Sequence, residues 1–447
     1  MPLRVAIFGA GPSGLFLAES LLKGYTEPLS IDIIDRLPAP YGLVRYGVAP
    51  DHAKIKSVIN TFVKTFQDKR VRFLGNVAFG VDLNLEDVRR HYDVTAYAVS
   101  AAVDRTLGIP GEELPGNLSS TEFVAWYSGH PDQNEREIAL DAEAVAVIGV
   151  GNVAIDVTRI LAKHVDELRK TDVPHPVLDA LAASRVRDIY LIGRRGPAQA
   201  KFTTPELREL GELPNADALV DPRDLELDEA SAATVAAKSA LQRNLDVLRD
   251  FASRTPEGRP RRIHLKFLAS PVRIEGTDRV EALVLERNRL DEKENAVGTG
   301  VFETIPLQMV FRAVGYRGIP LPGLPFDKRA NVIANESGRI VDENGERIPG
   351  QYVTGWIKRG PTGVIGTNKA DSAETARAIL EDIPSLPRAA QSDEAQLDAL
   401  LAQRGVRVCM WDDWLEIDRH ERELGAKDGR DERVKVTHFD ELLAARR

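Results

Sequence analysis

LRVAIFGAGPSG, Leu3–Gly14, opens the chain, and its reading decides the fold. Leu3 to Phe8 is an apolar-rich run that predicts a strand. It meets a glycine-rich turn and then a helix with apolar positions at Leu15, Ala18, Leu21 and Leu22. In the turn Gly9-Ala10-Gly11-Pro12-Ser13-Gly14 each glycine has its own task. Gly9 makes the tight turn, Gly11 lets a pyrophosphate approach the backbone, and Gly14 lets helix and strand pack closely. The helix N-terminus offers unpaired N–H groups to phosphate. About twenty residues on, a second strand, LSIDIID, ends in Asp35, whose carboxylate can accept hydrogen bonds from ribose hydroxyls. The combination predicts a dinucleotide-binding α/β unit.

The same grammar recurs in AVAVIGVGNVAIDVTRILAKH, Ala144–His164. A strand, Ala144 to Ile148, meets Gly149-Val150-Gly151-Asn152-Val153-Ala154 and a helix, with Ala in the third glycine position, which the fingerprint permits. The next strand, RDIYLIG, ends at Arg194-Arg195 rather than at a carboxylate. A carboxylate would repel a ribose 2′-phosphate. A guanidinium binds one through charge-assisted, often bidentate hydrogen bonds. The second nucleotide is therefore expected to be NADP, and the first, beside Asp35, FAD. Two dinucleotide folds in one chain predict a flavoprotein that passes hydride from nicotinamide to flavin.

A third stretch, YVTGWIKRGPTGVIGTNKADSAETARAIL, Tyr352–Leu380, reads as strand, glycine turn and a helix capped near Thr367-Asn368. The backbone of Gly363-Val364-Ile365 at that helix start could hydrogen-bond the flavin's pyrimidine edge. A plain strand–helix connection is the alternative. Trp356 is either core or a ring-stacking residue.

Gly- and Pro-rich segments at Ala101–Gly116 and Ala313–Phe326 bracket the second unit. The expected fold class is α/β with two Rossmann-like domains. A discontinuous FAD domain, 1–104 and 320–447 with a helical C-terminal segment, would carry an inserted NADP domain, 105–319. After Leu386 the chain is polar, with a helical reading and no visible chemistry.

Composition narrows the function. The chain has 447 residues and 28% charged residues, ordinary for a globular protein of two or three domains. Its single cysteine, Cys409, excludes a redox dithiol and an iron–sulfur cluster held by several cysteines. Cys409 in VCMWDDW is expected to be buried and inert. Eight histidines show no paired spacing, so no metal site is expected. Net charge is −9, which argues against nucleic-acid binding. No apolar run approaches the roughly 20 residues of a membrane span, and the N-terminus enters a strand at once, so a cytoplasmic protein is expected. No coiled-coil pattern appears, and a monomer is expected.

Four motifs then resemble one family: VAIFGAGPSG, PYGLVRYGVAPDHAKIK, AVIGVGNVAIDVTRIL with GRRGPAQAKFTTPELREL, and GWIKRGPTGVIGTNK. In this order, from Val5 to Lys369, the chain resembles adrenodoxin reductase and its bacterial relatives, the NADPH:ferredoxin reductases of actinobacterial type. The resemblance implies that Arg194, Arg195 and Glu206 help to hold NADP and that Arg105 reaches the cofactor. It implies that Gly42 and Leu43 line the FAD, that Trp356 sits at the flavin, and that Gly363 lies near both cofactors. His52 and Glu209 would lie near the flavin and affect catalysis, with Asp156 completing a polar cluster around His52. The residues also have plain readings. Asp51 could be an N-cap, His52 a surface residue, Glu209 a helix-face salt bridge, and Asp156 a favourable charge near a helix start. A histidine near flavin N5 could relay its proton. The chain departs from the family at Ser100, Val150 and Lys201.

The expected activity is transfer of electrons from NADPH through FAD, singly, to a ferredoxin. Acidic ferredoxins call for a basic docking patch, for which Arg243, Arg249, Arg254, Arg259, Arg261 and Arg262 are candidates. The alternatives are a flavin monooxygenase and a nonenzymatic NADPH/FAD redox sensor whose tail after Leu386 is the interaction module.

Overall fold

The fold is a computed structural model that describes residues 2–101 and 103–446. Contacts divide the chain into two compact units: Met1–Val103 with Ser128–Asn134 and Tyr316–Arg447, and Asp104–Tyr127 with Glu135–Gly315. The short Ser128–Asn134 segment, read from sequence as part of the second domain, thus lies with the first. It is held there by a two-pronged Arg36–Asp132 ion pair, at 2.6 and 3.1 Å, and by the ring of His130 packed 4.9 Å from that of Tyr46.

In the first unit a seven-stranded sheet runs in the order Asn335–Glu336, Arg339–Val341, Arg347–Val353, Val94–Tyr97, Leu3–Phe8, Leu29–Asp35, Val71–Gly75. The central strands pair in parallel, and the first pairings at the Asn335 edge are antiparallel. Leu3–Phe8 is buried at every position, the continuous apolar signature of a strand covered on both faces. It lies between Leu29–Asp35 and Val94–Tyr97, where the strand order reverses. The crevice beyond the carboxyl ends of such strands is where ligands bind in open α/β sheets.

The second unit repeats the plan with six strands, ordered Asn117–Ser119, Met309–Arg312, Ala144–Ile148, Asp188–Ile192, Arg261–Lys266, Ala216–Val220, paired in parallel. Ala144–Ile148 occupies the switch point. An antiparallel sheet of Ala269–Glu275, Ala282–Leu290 and Ala296–Pro306 is appended to it.

The C-terminal tail differs most from its sequence reading. Leu397, Leu401, Trp414, Ile417 and Leu442 are at most 2% exposed and join the first unit's core. Cys409 exchanges backbone hydrogen bonds with Gly75 at 2.8 and 2.9 Å, extending the sheet. Burial pushes the Cys409 thiol up to about 12, so it stays protonated and unreactive at neutral pH. The tail is a structural part of the first unit, not an appended module.

Candidate functional site

At the first turn, Gly9 has φ +115°, and a Cβ there would meet the Ala98 carbonyl oxygen at 2.6 Å. A Cβ on Gly14 would lie 2.0 Å from the Gly9 oxygen, so helix and strand touch there. Gly11 differs: its nearest neighbour would be Gly42 Cα at 3.9 Å, leaving the backbone open. The Pro12–Gly24 helix starts here, its N-cap Gly11 offering no side-chain cap. Asp35 turns inward. Its carboxylate accepts the N–H of Ala10, in the turn itself, at 2.8 Å and that of Leu37 at 3.0 Å. Burial raises its pKa despite these two donors.

The late segment docks on the same helix. Ser13 Oγ donates to Asn368 Oδ1 at 3.0 Å, and Ser372 Oγ donates to the Ser13 carbonyl at 2.8 Å. The helix runs Ile365–Asp382, so it begins earlier than the Thr367-Asn368 cap expected from sequence. Thr367 Oγ1 instead accepts the Val364 N–H from inside the first turn, at 3.2 Å. Gly363 and Val364 are exposed, Ile365 partly so. Trp356 is half-buried and stacks on Tyr316, with ring centroids 5.7 Å apart. Leu43, beside Gly42, is 39% exposed and Val364 60%. An open glycine backbone flanked by exposed apolar side chains fits a flat cofactor lying over them.

At the second turn, Gly149 has φ +136° and would clash with the Ala313 carbonyl if it carried a Cβ. A Cβ on Gly151 would meet nothing within 4 Å. The helix Asn152–Ala162 follows, with Val153 partly exposed and Ala154 buried in the third fingerprint position. Asn152 Oδ1 accepts the Thr203 N–H at 2.8 Å. Two of the departures are linked here. Val150 packs against Gly193, and its carbonyl accepts the Lys201 N–H at 2.8 Å. Ser100 is exposed, and nothing in the structure explains it.

Arg194 and Arg195 follow the Asp188–Ile192 strand. The Arg194 and Arg195 carbonyls are held by Asn288 Nδ2 at 2.7 Å and the Leu268 N–H at 3.1 Å. Arg194 is exposed and Arg195 half-exposed, and neither guanidinium forms an ion pair among the described residues. In the same unit Glu206 Oε2 and Gln199 Oε1 are buried without a hydrogen-bond partner. A phosphorylated nucleotide would satisfy both kinds of group, its phosphate accepting from the two guanidiniums and its hydroxyl and amide groups donating to the two orphaned acceptors. Arg105 is exposed on the linker, its N–H donating to the Gly315 carbonyl at 3.0 Å.

The structure joins two of the three expected catalytic residues through one that sequence reasoning missed. Arg159, 3% exposed at its side chain, bridges Asp156 at 2.9 Å and Glu209 at 3.0 Å. Its i+3 spacing from Asp156 in NVAIDVTRIL was the available signal. His52 lies in the first unit. It, not Asp51, is the N-cap of the Ala53–Lys56 turn, its carbonyl accepting the N–H groups of Ile55 and Lys56 at 3.0 and 3.1 Å.

The arginines expected to form a docking patch have local partners, while Arg243, Arg249, Arg254 and Arg262 keep exposed side chains. Arg261 donates to the carbonyls of Lys163 and Val186, Arg259 to Ala216 and Leu213, and Arg262 pairs with Asp188 at 2.5 Å. Arg254 pairs with Asp250 at 2.6 Å, and Arg249 lies 4.0 Å from Asp246. These guanidiniums stitch strand ends and balance their own helix.

Among the described residues no group of His, Cys, Asp and Glu could hold a metal, and no helix is long and apolar enough to cross a membrane.

Two doubly wound units, each with an open glycine turn at its switch point, define a dinucleotide-dependent oxidoreductase. No protein-family model matches the sequence. The NADPH-ferredoxin reductase FprA of Mycobacterium leprae is 45% identical over 451 residues, 98% of this chain and 97% of that protein. The mitochondrial NADPH:adrenodoxin oxidoreductase of Arabidopsis thaliana is 40% identical over 99% of this chain and 95% of its own. The structure of Mycobacterium tuberculosis FprA in complex with NADPH matches with a TM-score of 0.93 at 42% identity, covering 100% of this chain and 99% of that one. The chain belongs to the NADPH-ferredoxin and NADPH:adrenodoxin reductase family.

Proposed function

We propose that the first unit holds FAD, the second holds NADPH, and the protein delivers single electrons to a ferredoxin-type iron–sulfur protein. When bound, the two cofactors supply hydride donation and one-electron release. The chain's own residues bind and orient. Gly11 and the Pro12–Gly24 helix start receive the FAD pyrophosphate, and Asp35 braces that turn through Ala10. Gly42, Leu43, Trp356 and the Gly363–Ile365 backbone line the flavin. Gly151, Asn152 and Val153 receive the NADPH pyrophosphate, and Arg194 and Arg195 its 2′-phosphate. Glu206 and Arg105 complete that site. His52, in the first unit, would hold or pass on a proton at flavin N5; in the second unit Arg159 holds Asp156 and Glu209 together as an acidic group.

The observation that carries this reading is the pair of unpaired guanidiniums at the end of the strand where an NAD-binding fold places a carboxylate. The protein works as a cytoplasmic monomer and binds no nucleic acid. An anaerobic titration of the flavin-loaded protein tests the cofactor assignment. NADPH bleaches the flavin band stoichiometrically, and NADH does so only at far higher concentration. Equal bleaching by both would reject it.

A further inference from the structure

We propose that Glu421 and Lys435, in the C-terminal tail, are positioning residues of the flavin site. This rests on FAD occupying the first unit. The segment they hold is the corner Tyr41-Gly42-Leu43. Tyr41 is a non-glycine residue at φ +82°, a conformation that persists only when the surroundings over-determine it. Its N–H donates to the Ala10 carbonyl at 2.9 Å. A Cβ on Gly42 would lie 3.0 Å from Gly11 Cα, so the corner presses on the phosphate-binding turn.

The tail supplies the constraint. The Tyr41 ring meets Trp414 edge-on, with centroids 5.9 Å apart and planes at 80°. Arg45, four residues after Tyr41, is 4% exposed and pairs with the fully buried Glu421 at 2.5 Å. Its guanidinium lies over the Trp414 ring, 5.1 Å from the centroid. Lys435, 3% exposed, donates to the Arg45 carbonyl at 3.0 Å and the Ser128 carbonyl at 2.9 Å. Glu421 also accepts the Val436 N–H at 3.0 Å, which ties the two tail residues together. Both the side chain and the carbonyl of Arg45 are therefore gripped by the tail. Burying two cations and a carboxylate is a poor way to gain stability, because desolvation offsets most of the attraction. What the arrangement specifies is geometry, the angle and height of Gly42 and Leu43 against Gly11.

The test compares FAD release and the visible flavin spectrum in Glu421→Gln, Lys435→Met and Lys435→Arg with the wild-type holoprotein. Asp93→Ala serves as a control. It cuts a different anchor of the tail, at Ala389 and Arg388, beside Arg4 at the far end of the Leu3–Phe8 strand. Glu421→Gln and Lys435→Met should release FAD roughly tenfold faster and alter the fine structure of the flavin band, and Lys435→Arg should restore both. Asp93→Ala should lower Tm with neither change. Wild-type release and spectrum in Lys435→Met would overturn the proposal, even if Glu421→Gln fails to fold. Equal acceleration in Asp93→Ala would also overturn it, as a loss of general stability. A wild-type protein that takes up no FAD would instead defeat the cofactor assignment, and this inference with it.

Discussion

Asn288 Nδ2 donates to the Arg194 carbonyl at 2.7 Å and also to Ser270 Oγ at 2.7 Å. The buried amide fixes the backbone of the arginine pair from the antiparallel sheet, while both guanidiniums stay unpaired. Each charge-assisted contact to a 2′-phosphate is worth about 1.5–3 kcal/mol. Arg194→Ala with Arg195→Ala should therefore raise the KM for NADPH roughly 100-fold or more and leave that for NADH within about threefold. Steady-state kinetics with both nucleotides checks this. Asn288→Ala, which loosens the backbone without removing charge, should produce a smaller loss in the same direction.

The two turns make opposite predictions for a single added methyl group. Gly14→Ala drives a Cβ to within 2.0 Å of the Gly9 oxygen and should lower Tm sharply or prevent folding. Gly151→Ala meets nothing within 4 Å and should melt like the parent, yet bind NADPH more weakly, because the methyl group occupies the approach to the backbone. Thermal melts paired with nucleotide titration separate the two.

Asp32 is fully buried and accepts from Arg4 at 2.6 Å, Arg72 at 2.8 Å and the Tyr92 hydroxyl at 2.7 Å. Burial alone would raise its pKa, but Arg72 and Arg4 outweigh it and hold it below the usual carboxylate range. Asp32→Ala leaves Arg4 buried without its closest counter-charge and should cost about 3–5 kcal/mol in denaturant unfolding.

His130 yields a pH prediction. Burial pushes its pKa down to about 4, and its Nδ1 accepts the Asp132 N–H at 3.1 Å, which requires the neutral ring. The unfolded chain, with a histidine pKa near 6.5, takes up this proton first. Stability is therefore unaffected above about pH 6.5 and falls as pH drops toward 4, by up to about 3 kcal/mol from this group. In His130→Gln the decline of Tm across that window should be shallower.

The fold was legible because its signals are local. Strand, glycine turn and helix occupy about twenty contiguous residues in each unit, and the arginine pair closes the strand that follows the second of them. What was not legible depends on distant contacts. ERELGAKDGRDERVK reads only as polar and helical, yet Glu421 and Lys435 within it are buried because Arg45, nearly four hundred residues earlier, supplies their partner. Arg259 and Arg261 read as docking charges, but their donors are taken by backbone carbonyls at a strand start and a helix C-terminus that no spacing reveals. The cap at His52 rather than Asp51, and the helix start at Ile365, are boundary shifts of a kind that local propensity leaves open.

Cytochrome c reduction coupled through a ferredoxin tests the central claim most directly. Flavin-loaded protein is mixed with NADPH and cytochrome c, with and without an added ferredoxin, and the rate is followed. Reduction should be slow alone, rise with ferredoxin to saturation, and nearly vanish when NADH replaces NADPH at equal concentration. A rate that ferredoxin does not change, in a protein whose flavin NADPH reduces, would contradict the account.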